Sequence, residues 1–285
     1  MADAGREIHV QAGTLQLAAR VWGPEEGEPV LALHGWLDNA ASFDLLAPLL
    51  GGRRIVALDF AGHGHSEHQP PGPWYHFVDY VADALGAADA LGWERFSLLG
   101  HSLGGAVATL VAGSCPERIE RLALIEAIGP LTEPAERAPE RLAEALQGAQ
   151  RARTRPPPVY PDLDRIVAAR RAAGDLSYAA ARRLVERSTQ VTAEGIRWRS
   201  DSRLRLPSPL RTTESQALAF LRAIEAPTLL IRGDDGLLPE GDPGIAKRVA
   251  SLNDARTCTL AGNHHLHLED PEPVAAVLED FLPRA

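Results

Sequence analysis

The six residues Gly100-His101-Ser102-Leu103-Gly104-Gly105 constrain this chain more than any others. They follow Phe96-Ser97-Leu98-Leu99, an apolar run that reads as a buried strand. They precede Ala106-Val107-Ala108-Thr109-Leu110-Val111-Ala112, which reads as a helix. A chain passing from strand to helix over so few residues must turn sharply. Glycines at 100 and 104 let the two elements approach closely, and Ser102 is left at the tip in a strained conformation. Its hydroxyl then sits at a helix N-terminus, where outward N–H groups favour developing negative charge. The short pattern also fits a plain glycine-rich connection, and the rest of the chain decides between the two.

At 285 residues the chain accommodates one large α/β domain with an insertion, or two small domains. Its formal net charge of −9 argues against nucleic acid as the main partner, because phosphate binding needs a basic face. Lys247 is the sole lysine, so nearly all the positive charge is arginine. Cys115 and Cys258 are expected to be reduced and buried rather than paired. The start, Met1-Ala2-Asp3-Ala4-Gly5-Arg6-Glu7, lacks an apolar leader core, and no stretch approaches the roughly 20 apolar residues of a membrane helix. A cytoplasmic protein without a membrane span is the expectation.

Strand and helix patterns alternate over the first part of the chain. Strands are predicted at 7–11, 15–21, 29–33, 54–58, 96–99 and 121–125, with helical patterns at 39–50, 77–91 and 106–112. The alternation stops between 129 and 225, where no strand is evident. Arginine, alanine and proline dominate there, including the run Pro156-Pro157-Pro158. It resumes with strands at 227–231 and 256–260 and helices near 245–249 and 272–282. Such alternation implies an α/β fold: a mostly parallel sheet with helices on both faces. Residues 1–128 and 226–285 would form this core, and 129–225 a helical cap insertion rather than an independent domain. Ligands of open α/β sheets bind beyond the carboxyl ends of the strands, and each candidate residue below falls at such an end.

A serine is a poor nucleophile at neutral pH and needs a base, which in turn needs an orienting acid. The segment Gly262-Asn263-His264-His265-Leu266-His267-Leu268-Glu269-Asp270-Pro271, after the last strand, offers the base. His264 lies nearest the strand end, and His265 is its main competitor. His264 and His267 also have metal-like spacing, but no Asp, Glu or Cys cluster accompanies them, and no metal is expected.

Four segments in order carry a family resemblance: His34-Gly35-Trp36-Leu37-Asp38-Asn39-Ala40, Asp59-Phe60-Ala61-Gly62-His63-Gly64-His65-Ser66, the Ser102 turn, and 262–271. With them the chain resembles the α/β-hydrolases, and is particularly similar to the serine hydrolase-like proteins. The resemblance spans nearly all of the chain outside much of the cap, and implies the α/β-hydrolase fold. In the family's closing motif the catalytic histidine lies seven residues before the proline, and counting back from Pro271 gives His264. The resemblance also implies an oxyanion hole made by the backbone N–H groups of Leu103 and Trp36. The Trp36 side chain would line an acyl pocket or pack under the cap, and His34 and His63 would hold loops rather than react.

The acid is the unusual part. Most of the superfamily carries it three residues beyond the glycine after the seventh strand, here Gly233; that count falls on Gly236, which has no carboxylate. Asp234 and Asp235 are close but out of step, and Asp235-Gly236 reads as a turn. Some relatives, including a class of haloalkane dehalogenases, instead place the acid at the end of the strand after the elbow helix. Here Leu122-Ala123-Leu124-Ile125-Glu126 puts Glu126 there, where an unpaired carboxylate would be costly to desolvate. Glu126 is therefore the expected acid, ahead of Asp235 and then Asp234; its competing role is a salt bridge to a cap arginine. Those dehalogenases attack with an aspartate where this chain has Ser102, so the resemblance points to acyl transfer to water.

The implied activity is a serine esterase acting on a small carboxylic ester, with Ser102, His264 and Glu126 as triad and no metal or organic cofactor. A thioesterase, lactonase or carbon–carbon bond hydrolase would use the same triad, and a non-catalytic binding protein would keep the fold alone. The cap segment Arg197-Trp198-Arg199-Ser200-Asp201-Ser202-Arg203-Leu204 also resembles the subgroup. Arg199 and Arg203 are expected to tie the cap to the core through aspartates, or else to meet a substrate carboxylate.

Overall fold

The computed structural model describes residues 5–72, 74–152 and 158–284. Residues 1–4 of the amino-terminal stretch and Pro156-Pro157 of the proline run lie outside the described residues.

Eight strands form one sheet in the order β1-β2-β4-β3-β5-β6-β9-β10. They are β1 (Arg6–Ala12), β2 (Leu15–Trp22), β3 (Glu28–Leu33), β4 (Arg53–Leu58), β5 (Phe96–His101), β6 (Ile119–Ile125), β9 (Thr228–Asp235) and β10 (Ala255–Asn263). The β1–β2 hairpin and the β2–β4 pair are antiparallel, and the other pairs are parallel. This is the mostly parallel sheet the alternating pattern implies.

Period-two alternation sends successive strand residues to opposite faces. Leu31, Leu98, Leu122 and Leu124 pack in one core cluster, with Ala87 of α1 (Asp79–Ala90) and Val107 and Val111 of α2 (Leu103–Ser114). Val30, Leu99, Ala123 and Ile125 pack in the other, with Phe43 and with Val274 and Leu278 of the last helix. Both faces are covered, which is why β3, β5 and β6 read as continuous apolar runs. Cys115 and Cys258 are unpaired but half-buried, not buried as expected.

Two secondary-structure expectations fail. Residues 39–50 form two short 3₁₀ turns, Ala40–Phe43 and Ala47–Leu49, rather than one helix. Pro48 has no N–H to donate back along a helix, and the Asn39 side chain caps the first turn by accepting from Ala41 N. The segment 129–225 contains strands after all: β7 (Thr189–Thr192) and β8 (Gly195–Trp198) form an antiparallel hairpin. Gly195, at φ 135°, allows the close backbone pairing of Ile196 with Tyr160, at 2.8 and 2.9 Å.

The excursion between β6 and β9 also carries α3 (Ala138–Ala152), α4 (Leu163–Gly174), α5 (Tyr178–Ser188) and α6 (Glu214–Ala223). Ile166 and Val167 of α4 pack with Leu184 and Val185 of α5 in a small separate cluster, which Leu268 joins from beyond β10. Leu218 and Leu221 of α6 belong to the main core. The chain closes with α7 (Pro243–Val249), α8 (Leu266–Glu269) and α9 (Pro271–Phe281). Among the described residues no helix is long and apolar enough to cross a membrane.

Arginines fasten the excursion to the sheet. Arg187 of α5 donates to both carboxylate oxygens of Asp59, at 3.1 and 3.0 Å, and to Glu7 at 2.8 and 2.9 Å. Arg203 pairs with Asp201 at 2.7 Å and donates to the carbonyls of Gln69, Pro70 and Gly72. Its guanidinium also lies over the Tyr75 ring, 5.0 Å from the centroid. Arg199 departs from expectation: its side chain donates to Thr189 O at 3.0 Å, within the excursion itself.

Candidate active site

Ser102 stands between β5 and α2 with φ 51° and ψ −114°, a conformation costing roughly 1–3 kcal/mol for a residue with a Cβ. The turn needs its glycines. A Cβ on Gly104 would lie 2.0 Å from Leu33 O, and one on Gly100 would lie 2.6 Å from Gly104 O. Ser102 N donates to Ile125 O at 3.0 Å, which pins the turn to the end of β6.

The residue just past β6 is Glu126, at φ 52°. His101 and Ile125 are register partners, so Ser102 and Glu126 leave adjacent strands at the same level. Glu126 is buried, and its carboxylate is fully used. Gly233 N donates to Oε1 at 2.8 Å, Leu237 N donates to Oε2 at 2.5 Å, and His264 Nδ1 lies 3.3 Å from Oε2. Burial opposes the charge, but His264 and the two backbone N–H groups hold the carboxyl below its ordinary range. With Nδ1 turned to Glu126, the other ring nitrogen of His264 is left for a reacting proton. Among the described residues Ser102 Oγ has no hydrogen bond to His264. Such contacts often tighten only when substrate is bound.

The carboxylate of Glu126 fills the space that a side chain at 236 would occupy. A Cβ built on Gly236 would fall 2.3 Å from Glu126 Oε1. A carboxylate therefore occupies the family's usual acid location, reaching it from the neighbouring strand. Asp235 is exposed and sits opposite Asn263 in the β9–β10 ladder. Asp234 Oδ1 accepts from Gly262 N at 2.8 Å, serving the backbone of the loop. Among the described residues neither aspartate pairs with His264, and Glu126 meets no arginine of the 129–225 segment.

Leu103 N is the first amide of α2, and such amides have no partner within a helix. Trp36 N belongs to the tight turn closed by Asp38 N donating to Gly35 O at 3.1 Å. Among the described residues neither amide has a protein acceptor. The Trp36 indole donates to Leu204 O at 3.0 Å while remaining 53% exposed, so it both meets the excursion and presents an apolar surface. His34 and His63 are buried and support loops. Phe60 N donates to His34 Nε2 at 3.1 Å, and Leu37 N donates to His63 Nε2 at 3.4 Å. Burial lowers the pKa of both, that of His63 to about 3, so they stay neutral acceptors.

His265 and His267 point away from the reacting position. His265 Nε2 lies 3.4 Å from Asp38 Oδ2, and His267 Nε2 is 2.8 Å from Ser42 Oγ. Among the described residues no three His, Cys, Asp or Glu side chains converge as metal ligands. The roles of His101, Asp38 and Arg170 in this region escape sequence reading, because their contacts join positions far apart in the chain.

A family model described as the alpha/beta hydrolase fold matches residues 28–271. A serine hydrolase-like protein from Danio rerio is 35% identical, covering 99% of this chain and 90% of its own length. Serine hydrolase-like protein 2 from Homo sapiens is 33% identical over 93% of this chain and 90% of its own. Among solved structures, a hypothetical protein from Pseudomonas aeruginosa PAO1 is 47% identical with a TM-score of 0.89, covering 96% of this chain and 97% of its own. A thioesterase domain from the curacin biosynthetic pathway is 29% identical with a TM-score of 0.85, covering 97% and 99%. The fold, the turn at Ser102 and these likenesses agree, and the chain belongs to the α/β-hydrolase fold family, among the serine hydrolase-like proteins.

Proposed function

We propose that the protein hydrolyses carboxylic esters through an acyl-enzyme on Ser102, with His264 as base and Glu126 as its orienting acid. The observation that carries this reading is the Glu126–His264 pair, at 3.3 Å, at the end of the sheet where Ser102 caps α2. His264 takes the Ser102 proton as Oγ bonds to the ester carbonyl carbon, and the carbonyl oxygen becomes an oxyanion. The N–H groups of Trp36 and Leu103 stabilise that charge; losing one such donor costs about 100- to 1000-fold in rate. As the C–O bond breaks, His264 gives its proton to the leaving alcohol. A water molecule then gives a proton to His264 as its oxygen bonds to the acyl carbon, and His264 returns the proton to Ser102 Oγ as the C–Oγ bond breaks, releasing the acid. Glu126 fixes the ring by accepting from Nδ1 and stabilises the imidazolium in both steps.

The segment 129–225 acts as the cap in this reading, with Trp36 below it offering apolar surface to a small substrate. The working location is the cytoplasm. A thioester substrate is the second reading, favoured by the 29% identity to the thioesterase domain, and it uses the same steps with a thiol leaving group.

Aryl esters and acyl thioesters of graded chain length, assayed in parallel, separate the two substrates. Ser102→Ala is expected to abolish turnover and fluorophosphonate labelling. Glu126→Gln is expected to lower kcat by roughly 10⁴-fold, with Asp235→Asn near wild type. Full activity in Ser102→Ala refutes the mechanism, and a large loss in Asp235→Asn with none in Glu126→Gln moves the acid.

A further inference from the structure

Behind the candidate triad, the neighbours in sequence of its three working parts converge. Asp38 is two residues beyond Trp36, His101 precedes Ser102, and His265 follows His264. All three are buried. Asp38 Oδ2 lies 3.4 Å from His265 Nε2 and 3.7 Å from His101 Nδ1. His101 Nε2 donates to His264 O at 2.9 Å, tying the Ser102 turn to the backbone of the base. The rings of His101 and His264 lie 4.7 Å apart between centroids. Gly35 leaves room for this contact, since a Cβ there would sit 2.9 Å from Asp38 Oδ2 and 3.0 Å from His101 Nδ1.

The remaining carboxylate oxygen of Asp38 faces the excursion. Arg170 of α4 donates to Oδ1 at 2.5 Å, with a side chain 12% exposed. The next residue strengthens the grip. Asn39 Nδ2 donates to Leu184 O at 2.9 Å and lies 2.8 Å from Ser188 Oγ, both on α5. The loop that carries Trp36 N is therefore held from above by α4 and α5 and from behind by His265. Burial disfavours the Asp38 charge, yet the His265 hydrogen bond and the Arg170 charge hold its carboxyl well below the usual range. Burial and the three neighbouring histidines hold His101 neutral. A buried anion whose cationic partner comes from the excursion is costly to leave unpaired, which makes it a gauge of where that excursion sits.

We propose that Asp38 and Arg170 are positioning residues: the Asp38 carboxylate sets the spacing of oxyanion loop and base, His101 ties the base to the nucleophile turn, and Arg170 makes that spacing depend on α4. A displacement of about 1 Å in such a site costs on the order of 100-fold in rate. This rests on the triad reading given above, since the groups positioned are those of that mechanism.

The test uses Asp38→Asn, Arg170→Met and Arg170→Lys in the full chain, with melting curves to establish folding. In Asp38→Asn, kcat is expected to fall about 10- to 100-fold with KM changed less than about threefold. Arg170→Met should lose about 10-fold, Arg170→Lys should recover most of that, and the double variant should be no worse than Asp38→Asn alone. Folded variants with unchanged kcat, or losses that multiply in the double variant, overturn the proposal. A second readout needs no turnover: the ring-proton resonances of His264 should move in Asp38→Asn and in Arg170→Met, and unmoved resonances also overturn it. Absence of Ser102-dependent turnover in the wild type refutes the triad reading instead, and the resonances then decide this one. If Asp38→Asn does not fold, the Arg170 pair of variants decides alone.

Discussion

Leu98, Leu122 and Leu124 lie on one face of the sheet, and Leu99, Ala123 and Ile125 on the other, all sealed from solvent. The excursion between β6 and β9 meets that sheet differently. Leu204, Leu218 and Leu221 at its far end join the main core, but α4 and α5 form only a small apolar cluster of their own and reach the core through Arg170 and Arg187. Apolar burial is non-directional and tolerates small slides. A guanidinium between two carboxylates, as at Arg187, does not. The sheet is thus stabilised by area, and α4 and α5 are located by geometry. In the proposed mechanism, a segment that covers the substrate over Ser102 benefits from the second kind of attachment.

Removing the strongest tether should show the contrast most clearly. Arg187→Met leaves Asp59 charged and buried without its partner, and is expected to cost about 3–5 kcal/mol in urea unfolding. Salt should alter that loss little, because the pair is buried. If the loss is below about 1 kcal/mol, the excursion is held by its apolar contacts instead.

The core contains one charged flaw that acts in the opposite direction. Asp83 of α1 is buried, its Oδ2 has no partner, and burial raises its pKa to about 7. Below about pH 4 it is protonated in both folded and unfolded chains, and its contribution to stability is fully present. That contribution is lost as pH rises through 7, where the folded protein must ionise a buried group. Asp83→Asn should therefore add about 2 kcal/mol at pH 8 and almost nothing at pH 4, the buried amide retaining part of the desolvation cost. Equal gains at both pH values would remove the charge explanation. The smallest effect belongs to the same helix as the strongest tether. Arg182 and Glu186 form an exposed pair on α5, and Arg182→Ala should lower the urea midpoint only slightly, an effect that falls with salt.

The sequence made different parts of this molecule readable for different physical reasons. Runs such as Pro29-Val30-Leu31-Ala32-Leu33 are buried on both faces, so apolar content alone marks them as strands. Glu126 was conspicuous because it ends such a run, and a carboxylate there needs partners. The β7–β8 hairpin was hidden because its strands are only partly buried and its turn, Ala193-Glu194, lacks the usual Asn-Gly or Asp-Gly signal. The helical pattern at 39–50 was misleading because its apolar spacing is satisfied equally by two 3₁₀ turns around Pro48. The meeting of Asp38 with Arg170, His101 and His265 left no local trace, since 132 residues separate the first pair.

Gly236 and Glu126 divide one small volume between them. Gaining an aspartate at 236 while Glu126 remains would force two carboxylates into it, and in the proposed mechanism losing Glu126 first would leave His264 without its acid. Either order passes through a crippled intermediate. For a lineage that changes one residue at a time, the carboxylate just past β6 is, in that mechanism, a locked inheritance, and Gly236 is what keeps it locked.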